Sequence, residues 1–230
     1  MKYIITGTSR GIGKQLLISV LKDGHQVISV SRSKTIVENE FSSRLMSNWI
    51  EISGDLTMDS TYEKISRALA SWNTLDVLVN NAGYLVNKPF EQLTKNDFSD
   101  SYNVNVLSPS ILINLCLPLL KNNTQGKVIN IGSIGGVQGS VKFSGLAYYS
   151  SSKGALSILT ECLAEEFKET NITFNYLALG AVQTEMLEKA FPGFQAPFLP
   201  NQMAEFIYRF SMHSAAMMNG KIIPVALTTP

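Results

Sequence analysis

The run Tyr3-Ile4-Ile5-Thr6-Gly7-Thr8-Ser9-Arg10-Gly11-Ile12-Gly13 starts with four aromatic or β-branched residues and passes through glycines into a 3.6-residue apolar period. A short apolar run of this kind reads as a strand buried on both faces. Ile12, Leu16, Leu17, Val20 and Leu21 fall on one face of the helix that follows, and Gly24 ends it. Glycines at 7, 11 and 13 remove Cβ atoms from the turn, so backbone N–H groups and the positive helix end can approach a pyrophosphate. The spacing is G-x-x-x-G-x-G, and alone it fits a plain tight turn as well. Its place at the first strand of an α/β chain favours the nucleotide reading.

The same alternation runs through the whole sequence. Strand-like runs recur at 27–30, 49–52, 75–80, 127–131, 172–177 and 221–225, with amphipathic stretches between them. Thr94 with Asp97 has the form of a capping box opening a helix through Phe98, Tyr102 and Val106. Leu156, Leu159, Leu163 and Phe167 make the apolar stripe of another. Such alternation predicts right-handed crossovers and a doubly wound α/β sheet, in one domain over 1–230 with no repeat or linker.

Of 230 residues, 45% are apolar and 16% charged, which excludes a disordered chain. Nineteen basic residues against eighteen acidic ones, net +1 and without a like-charge block, argue against nucleic acid and against a polybasic membrane anchor. The longest oily stretch, 111–120, holds Asn114 and Pro118 and is about half of the ~20 residues a membrane span needs. The strand pattern entered at Lys2 predicts no leader peptide. Cys116 and Cys162 read as core fillers in a reducing compartment, so a cytoplasmic protein is expected. His25 and His213 are isolated and no metal-ligand spacing occurs, so no metal is expected.

An acid about 20 residues past the glycines would hold the ribose 2′-hydroxyl of NAD. Ser31 followed by Arg32 stands there instead, and Arg10 lies in the glycine turn itself. Either arginine alone would pass as a solvated side chain. Two guanidinium groups together match a dianionic 2′-phosphate, so NADP(H) is the expected dinucleotide and NAD(H) the second choice.

Tyr149-Ser150-Ser151-Ser152-Lys153 puts Tyr149 and Lys153 on one helical face, a turn apart. An adjacent ammonium favours the phenolate, so the tyrosine pKa is expected to fall from ~10 into the range of an acid–base catalyst. Tyrosine four residues from lysine is also a commonplace surface pair. Tyr148, turned ~100° around the helix, lacks the register.

Together these motifs resemble the short-chain dehydrogenase/reductase family, in its shorter branch. Gly7, Gly11 and Gly13 match its glycine motif, and Tyr149 with Lys153 its Y-x-x-x-K. Asn80-Asn81-Ala82-Gly83 matches the N-N-A-G segment, and Asp55-Leu56-Thr57 the segment whose aspartate contacts adenine in relatives. Asn103-Val104-Asn105-Val106 resembles the segment carrying the family's asparagine, and Ser133 stands at the place of its serine. The matches keep the family's order from residue 4 to residue 184.

The resemblance implies a Rossmann-type doubly wound parallel sheet of about seven strands in the order 3-2-1-4-5-6-7, with helices on both faces. It implies reversible hydride transfer between a nicotinamide and a carbonyl or alcohol carbon, with Asn105, Ser133, Tyr149 and Lys153 as the catalytic residues. Tyr149 would exchange the proton, Ser133 would bond the carbonyl oxygen and Lys153 would bind the nicotinamide ribose. Asn105 would hold a water of the proton relay. Dinucleotide contacts would come from Gly7, Thr8, Ser9, Arg10, Gly11, Ile12 and Gly13. Further ones would come from Ser31, Arg32, Asp55, Leu56, Asn81, Ala82, Gly83, Tyr149, Lys153, Gly180, Val182 and Thr184.

Some places depart from the family pattern. Leu179 stands where a proline usually precedes Gly180, which puts the rigidity of that loop in doubt. Fifteen residues separate Ser133 from Tyr149, a few more than usual, and the extra loop at 139–143 is expected at the substrate mouth. The segment 220–230 lacks the acidic di-glycine tail of tetrameric relatives, so either a homodimer or a homotetramer is expected. The lid, around 184–200, holds Phe191, Phe194, Phe198 and Leu199. It suits an uncharged, partly apolar ketone or aldehyde, although these rings would equally pack the lid onto the body.

The expected function is therefore NADP(H)-dependent interconversion of a small-molecule carbonyl and an alcohol. One rival is a 3-oxoacyl carrier-protein reductase, for which no basic docking patch is evident. The other is a non-catalytic dinucleotide-binding or sensing protein, which would have no need of all four catalytic residues.

Overall fold

A computed structural model describes residues 1–37, 43–213 and 217–227. The last part of the expected tail, 228–230, lies outside the described residues. The strands are β1 (Lys2–Thr6), β2 (Gln26–Ser31), β3 (Trp49–Ser53), β4 (Val77–Asn80), β5 (Gly126–Ser133), β6 (Ile172–Leu179) and β7 (Lys221–Val225). They form one parallel sheet in the expected order, 3-2-1-4-5-6-7. The helices are α1 (Gly11–Lys22), α2 (Ser43–Met46), α3 (Asp59–Leu69), α4 (Lys95–Tyr102), α5 (Ser108–Lys121), α6 (Ala147–Glu166), α7 (Glu185–Ala190) and α8 (Pro200–His213).

Neighbouring strand residues point to opposite faces, which divides the core in two. Tyr3, Ile5 and Val79 meet Leu16 and Leu17 of α1 and Met203 and Ile207 of α8. Ile4, Ile28, Leu78 and Val128 meet Ile65 of α3, Leu112 and Cys116 of α5 and Ala164 of α6. The strand order reverses between β1 and β4, and their carboxyl ends open a crevice there, the usual ligand site of such sheets.

Two findings in the strands and in α4 revise the sequence reading. Strand β5 runs on to Ser133 and β6 to Leu179, beyond the apolar runs, because these residues still pair with each other across the sheet. The capping box is present: Thr94 Oγ1 accepts from the Asp97 N–H at 3.1 Å, and Asp97 accepts from the Thr94 N–H at 2.9 Å. However, α4 does not end. It passes through a π turn, Asn103–Leu107, into α5.

The resulting helix, Lys95–Lys121, is long and apolar enough to cross a membrane by length and composition alone. Buried Asp97, Ser101, Asn105 and Ser108 mark its inward side, as in a core helix, while Leu107 and Ile111 face outward. Cys116 is buried as expected. Cys162 is exposed on α6, so only one cysteine fills the core.

Candidate active site

The glycine turn is built by close approach. A Cβ placed on Gly13 would lie 2.2 Å from the Gly7 carbonyl oxygen, and one on Gly7 would lie 2.9 Å from the Ala82 Cα. Gly7 and Gly11 have φ of +73° and +57°, where side chains are strained. Asn81 fastens this turn to β4: its side-chain amide donates to the carbonyls of Thr6 at 2.9 Å and Gly7 at 3.2 Å. The Asn81 and Ala82 N–H groups both donate to Thr6 Oγ1. Helix α1 starts with no side-chain cap and no acid in its first turn, so its N–H groups remain open to an anion.

A cavity of about 640 Å³ runs from this turn along the carboxyl ends of the strands. Ser31, Arg32, Asp55 and Leu56 line one end, and Ser133, Tyr149 and Lys153 line the other. Between them lie Gly7, Ser9, Arg10, Gly11, Ile12, Gly13, Asn81, Ala82, Gly83, Gly180, Val182 and Thr184. These residues fit an extended dinucleotide: bare backbone and an uncapped helix end for the pyrophosphate, with polar groups at both ends. The Ser31 hydroxyl donates to the Ser33 carbonyl at 2.7 Å, and Asp55 accepts from Thr57, which fixes both turns.

At the reactive end, Ser133 closes β5 and Tyr149 stands in the first turn of α6. The Ser133 side chain lies beside the Tyr149 phenol and acts to lower its pKa, and Ser133 Oγ accepts from the Gly135 N–H at 3.2 Å. Lys153 is buried, and its Nζ donates to the Ile131 carbonyl at 2.8 Å. A Cβ on Gly83 would lie 3.6 Å from that Nζ, so the bare backbone of the N-N-A-G segment leaves the lysine head free on this side. Tyr148 is turned away from the cavity and packs edge-on against Phe98, with ring centroids 5.2 Å apart.

The expected fall of the phenol pKa does not come from the fold alone. Burial pushes Tyr149 up, against the opposing bond from Ser133, and burial brings Lys153 down to about 8. Desolvation penalises both charged forms, and the lysine is engaged with a carbonyl. A phenol kept neutral in this way is a proton donor at neutral pH.

Two of the expected site residues do not line the cavity. Thr8 is fully buried with its hydroxyl 3.3 Å from that of Thr35, pointing out of the turn toward the segment after β2. Asn105 is also buried: its Oδ1 accepts from the Tyr84 N–H at 2.8 Å, and its Nδ2 donates to the Tyr84 carbonyl and Ser152 Oγ, both at 2.9 Å. The amide thus ties the π turn, the segment after β4 and α6 together, with both of its own donors used.

The structure adds the lining residues Tyr84, Leu85 and Leu146, which the sequence reading did not name, and brings Ser150 of the Tyr149–Lys153 turn and Met186 of the lid to the same wall. Among the described residues, the Ser150 hydroxyl is buried beside Tyr149 with no hydrogen-bond partner. The loop at 139–143 does reach the mouth, where Phe143 meets Phe191 edge-on at 6.4 Å. Of the lid rings, Phe191 and Phe194 line the cavity, whereas Phe198 packs into the core and pairs with Val182. The Asn87 side chain donates to the Ala190 carbonyl at 2.7 Å, tying α7 to the opposite rim. The loop after Leu179 is held without proline, because Leu179 pairs with Val225 and the Gly180 N–H donates to the Val225 carbonyl at 3.0 Å.

A model of the short chain dehydrogenase family matches residues 2–193. The chain belongs to this family. It is 31% identical over 188 residues to a probable short-chain type dehydrogenase/reductase, VdlC, of Helicobacter pylori strain J99, covering 82% of this chain and 67% of that protein. It is 29% identical to an NADPH-dependent pterin aldehyde reductase of Arabidopsis thaliana, covering 84% of this chain and 81% of that protein. A solved structure of ElxO with NADP bound is 28% identical and superposes with a TM-score of 0.82 over 97% of this chain and 96% of that one.

As a short-chain dehydrogenase the protein is an oxidoreductase acting between an alcohol and a carbonyl group. The bound dinucleotide supplies or takes up the hydride. The chain's own part is then to seat the dinucleotide and exclude water from the reacting carbon. For this dehydrogenase, kcat/KM for the dinucleotide, which reports the free enzyme, should fall as pH rises through about 8, where Lys153 loses its charge. Lys153→Arg should move that break upward. A profile level to pH 9.5 would show that the lysine charge does not matter for capture.

Proposed function

We propose that this short-chain dehydrogenase uses NADPH to reduce an uncharged, partly apolar ketone or aldehyde. The observation that carries the substrate class is the distribution of charge along the cavity. Phe143, Leu85, Leu146, Met186, Phe191 and Phe194 wall the end near Tyr149, where Lys153 is the charged lining residue. Arg10, Arg32 and Asp55 lie at the dinucleotide end, and Glu185 approaches the glycine turn, 3.7 Å from a Cβ placed on Gly11. Apart from Lys153, whose Nζ is held by the Ile131 carbonyl, no cation among the described residues lines the apolar end to balance a substrate carboxylate once it left water.

The reductive direction rests on the neutral phenol. Tyr149 donates its proton to the carbonyl oxygen as the carbon is reduced, and Ser133 bonds the same oxygen as charge develops on it. For the cofactor, Arg10 and Arg32 line the cavity with exposed side chains, and Ser31 occupies the place where an acid would select NAD. The NADPH-dependent plant relative and the NADP-bound ElxO structure support the same choice. Two unpaired thiols, one of them exposed, suit a reducing cytoplasm.

The test is a substrate panel followed by absorbance of the reduced dinucleotide. It contains aryl and alkyl ketones and aldehydes, their carboxylated analogues and a 3-oxoacyl thioester, each with NADPH and NADH. Neutral apolar carbonyls with NADPH are expected to give kcat/KM at least tenfold above their carboxylated analogues. Preference for the carboxylates would overturn the substrate class. Preference for the thioester would point to the acyl-chain reductase, and dinucleotide binding with no turnover of any member would point to a sensor.

A further inference from the structure

One ring beneath the site is not used by the reaction described above. Tyr176 of β6 is fully buried on the α6 side of the sheet, among Leu156 and Ala178. It pairs with Asn130 of β5, two residues before Gly132, and its ring leans along the strand over that glycine. A Cβ on Gly132 would lie 1.7 Å from the ring Cζ and 2.1 Å from the hydroxyl, so only glycine leaves room for it.

The lean carries the hydroxyl to the next residue, Ser133. The Tyr176 oxygen accepts from the Ser133 N–H at 3.0 Å, and the same hydroxyl donates toward the Ser133 carbonyl at 3.4 Å. Burial pushes this phenol well above its ordinary pKa, so it stays neutral and keeps both roles. Ser133 is where support is scarce: β5 ends at this residue and the chain bends at once into a single 3₁₀ turn, Ile134–Gly136.

We propose that Tyr176 is a positioning residue for the reduction, holding the main chain of Ser133 from below so that the Ser133 hydroxyl stays aimed at Tyr149. Gly132 is the hollow that admits the ring. The inference rests on the proposed reduction, since it assigns a role within that same site. Without the Tyr176 hydroxyl, the Ser133 N–H loses its partner and the strand end can relax, while the glycine turn and the dinucleotide end of the cavity are unaffected.

The test is a double-mutant cycle of Tyr176→Phe and Ser133→Ala, measured with NADPH and the best carbonyl of the panel. Tyr176→Phe keeps the ring in the hollow and removes one oxygen. Losing the hydroxyl's bonds to the Ser133 main chain should lower kcat about five- to tenfold, with KM for NADPH within twofold of the parent. In the Ser133→Ala background, the same change should lower kcat less than twofold, because the group it aims is gone. A Tyr176→Phe enzyme with unchanged kcat would overturn the inference, as would an equal fall in both backgrounds, which would mark a general packing effect. If the parent enzyme itself reduced no carbonyl, the proposed function would fail first, and the two failures are distinguishable.

Discussion

Tyr149→Phe is expected to lower kcat for carbonyl reduction by about 10²- to 10⁴-fold, the usual contribution of a positioned general acid, with dinucleotide affinity within a few-fold of the parent. The substitution removes one oxygen and leaves the ring to fill its place beside Ser133. What disappears is the proposed proton donor, which lies beside the Ser133 side chain. Tyr148→Phe is the matched control: its ring packs on Phe90 and Phe98, away from the cavity, and turnover should stay near the parental rate. Absorbance of the reduced dinucleotide gives kcat, and its fluorescence titration gives affinity. Equal losses in the two variants would mean that the loss in Tyr149→Phe is one of structure and not of proton transfer.

Replacing Arg10 and Arg32 together by alanine is expected to weaken NADPH about 10- to 100-fold more than NADH. Each charge-assisted bond to a 2′-phosphate is worth about 1.5–3 kcal/mol when shielded, and solvent screening of these exposed side chains brings the pair down to about 1.4–2.8 kcal/mol in all. Both side chains line the dinucleotide end of the cavity, one from the glycine turn and one just after β2. The check is the ratio of kcat/KM for NADPH and NADH in the parent, the single variants and the double variant. A ratio unmoved in the double variant would remove the arginines from cofactor choice.

Much of the site was legible in the sequence because its logic is local. The register of Tyr149 and Lys153 follows from helical periodicity, which also excludes Tyr148. The glycine turn is legible because a strand running into a helix beside a phosphate leaves no room for Cβ atoms. The capping box at Thr94 and Asp97 is equally local and is present as read. Local reasoning did not show that the Thr8 side chain is buried while its neighbours in the turn line the cavity. It also misjudged the phenol of Tyr149, because the spacing announces a cation nearby but says nothing of the water lost by both groups.

From the alternation of strands and helices, the glycines and the helical registers, the sequence determined a doubly wound α/β sheet, the glycine turn and the Tyr149–Lys153 register, while the strand order came from the family resemblance. Tertiary structure decided what lies between segments far apart in the chain: Asn105 closing on the Tyr84 backbone, Phe143 meeting Phe191 across the mouth, and Tyr176 entering the space over Gly132 to hold Ser133. No periodicity announces such contacts. They depend on the register of β5 against β6 and on a π turn that shifts one helical face, which are set only when distant elements pack.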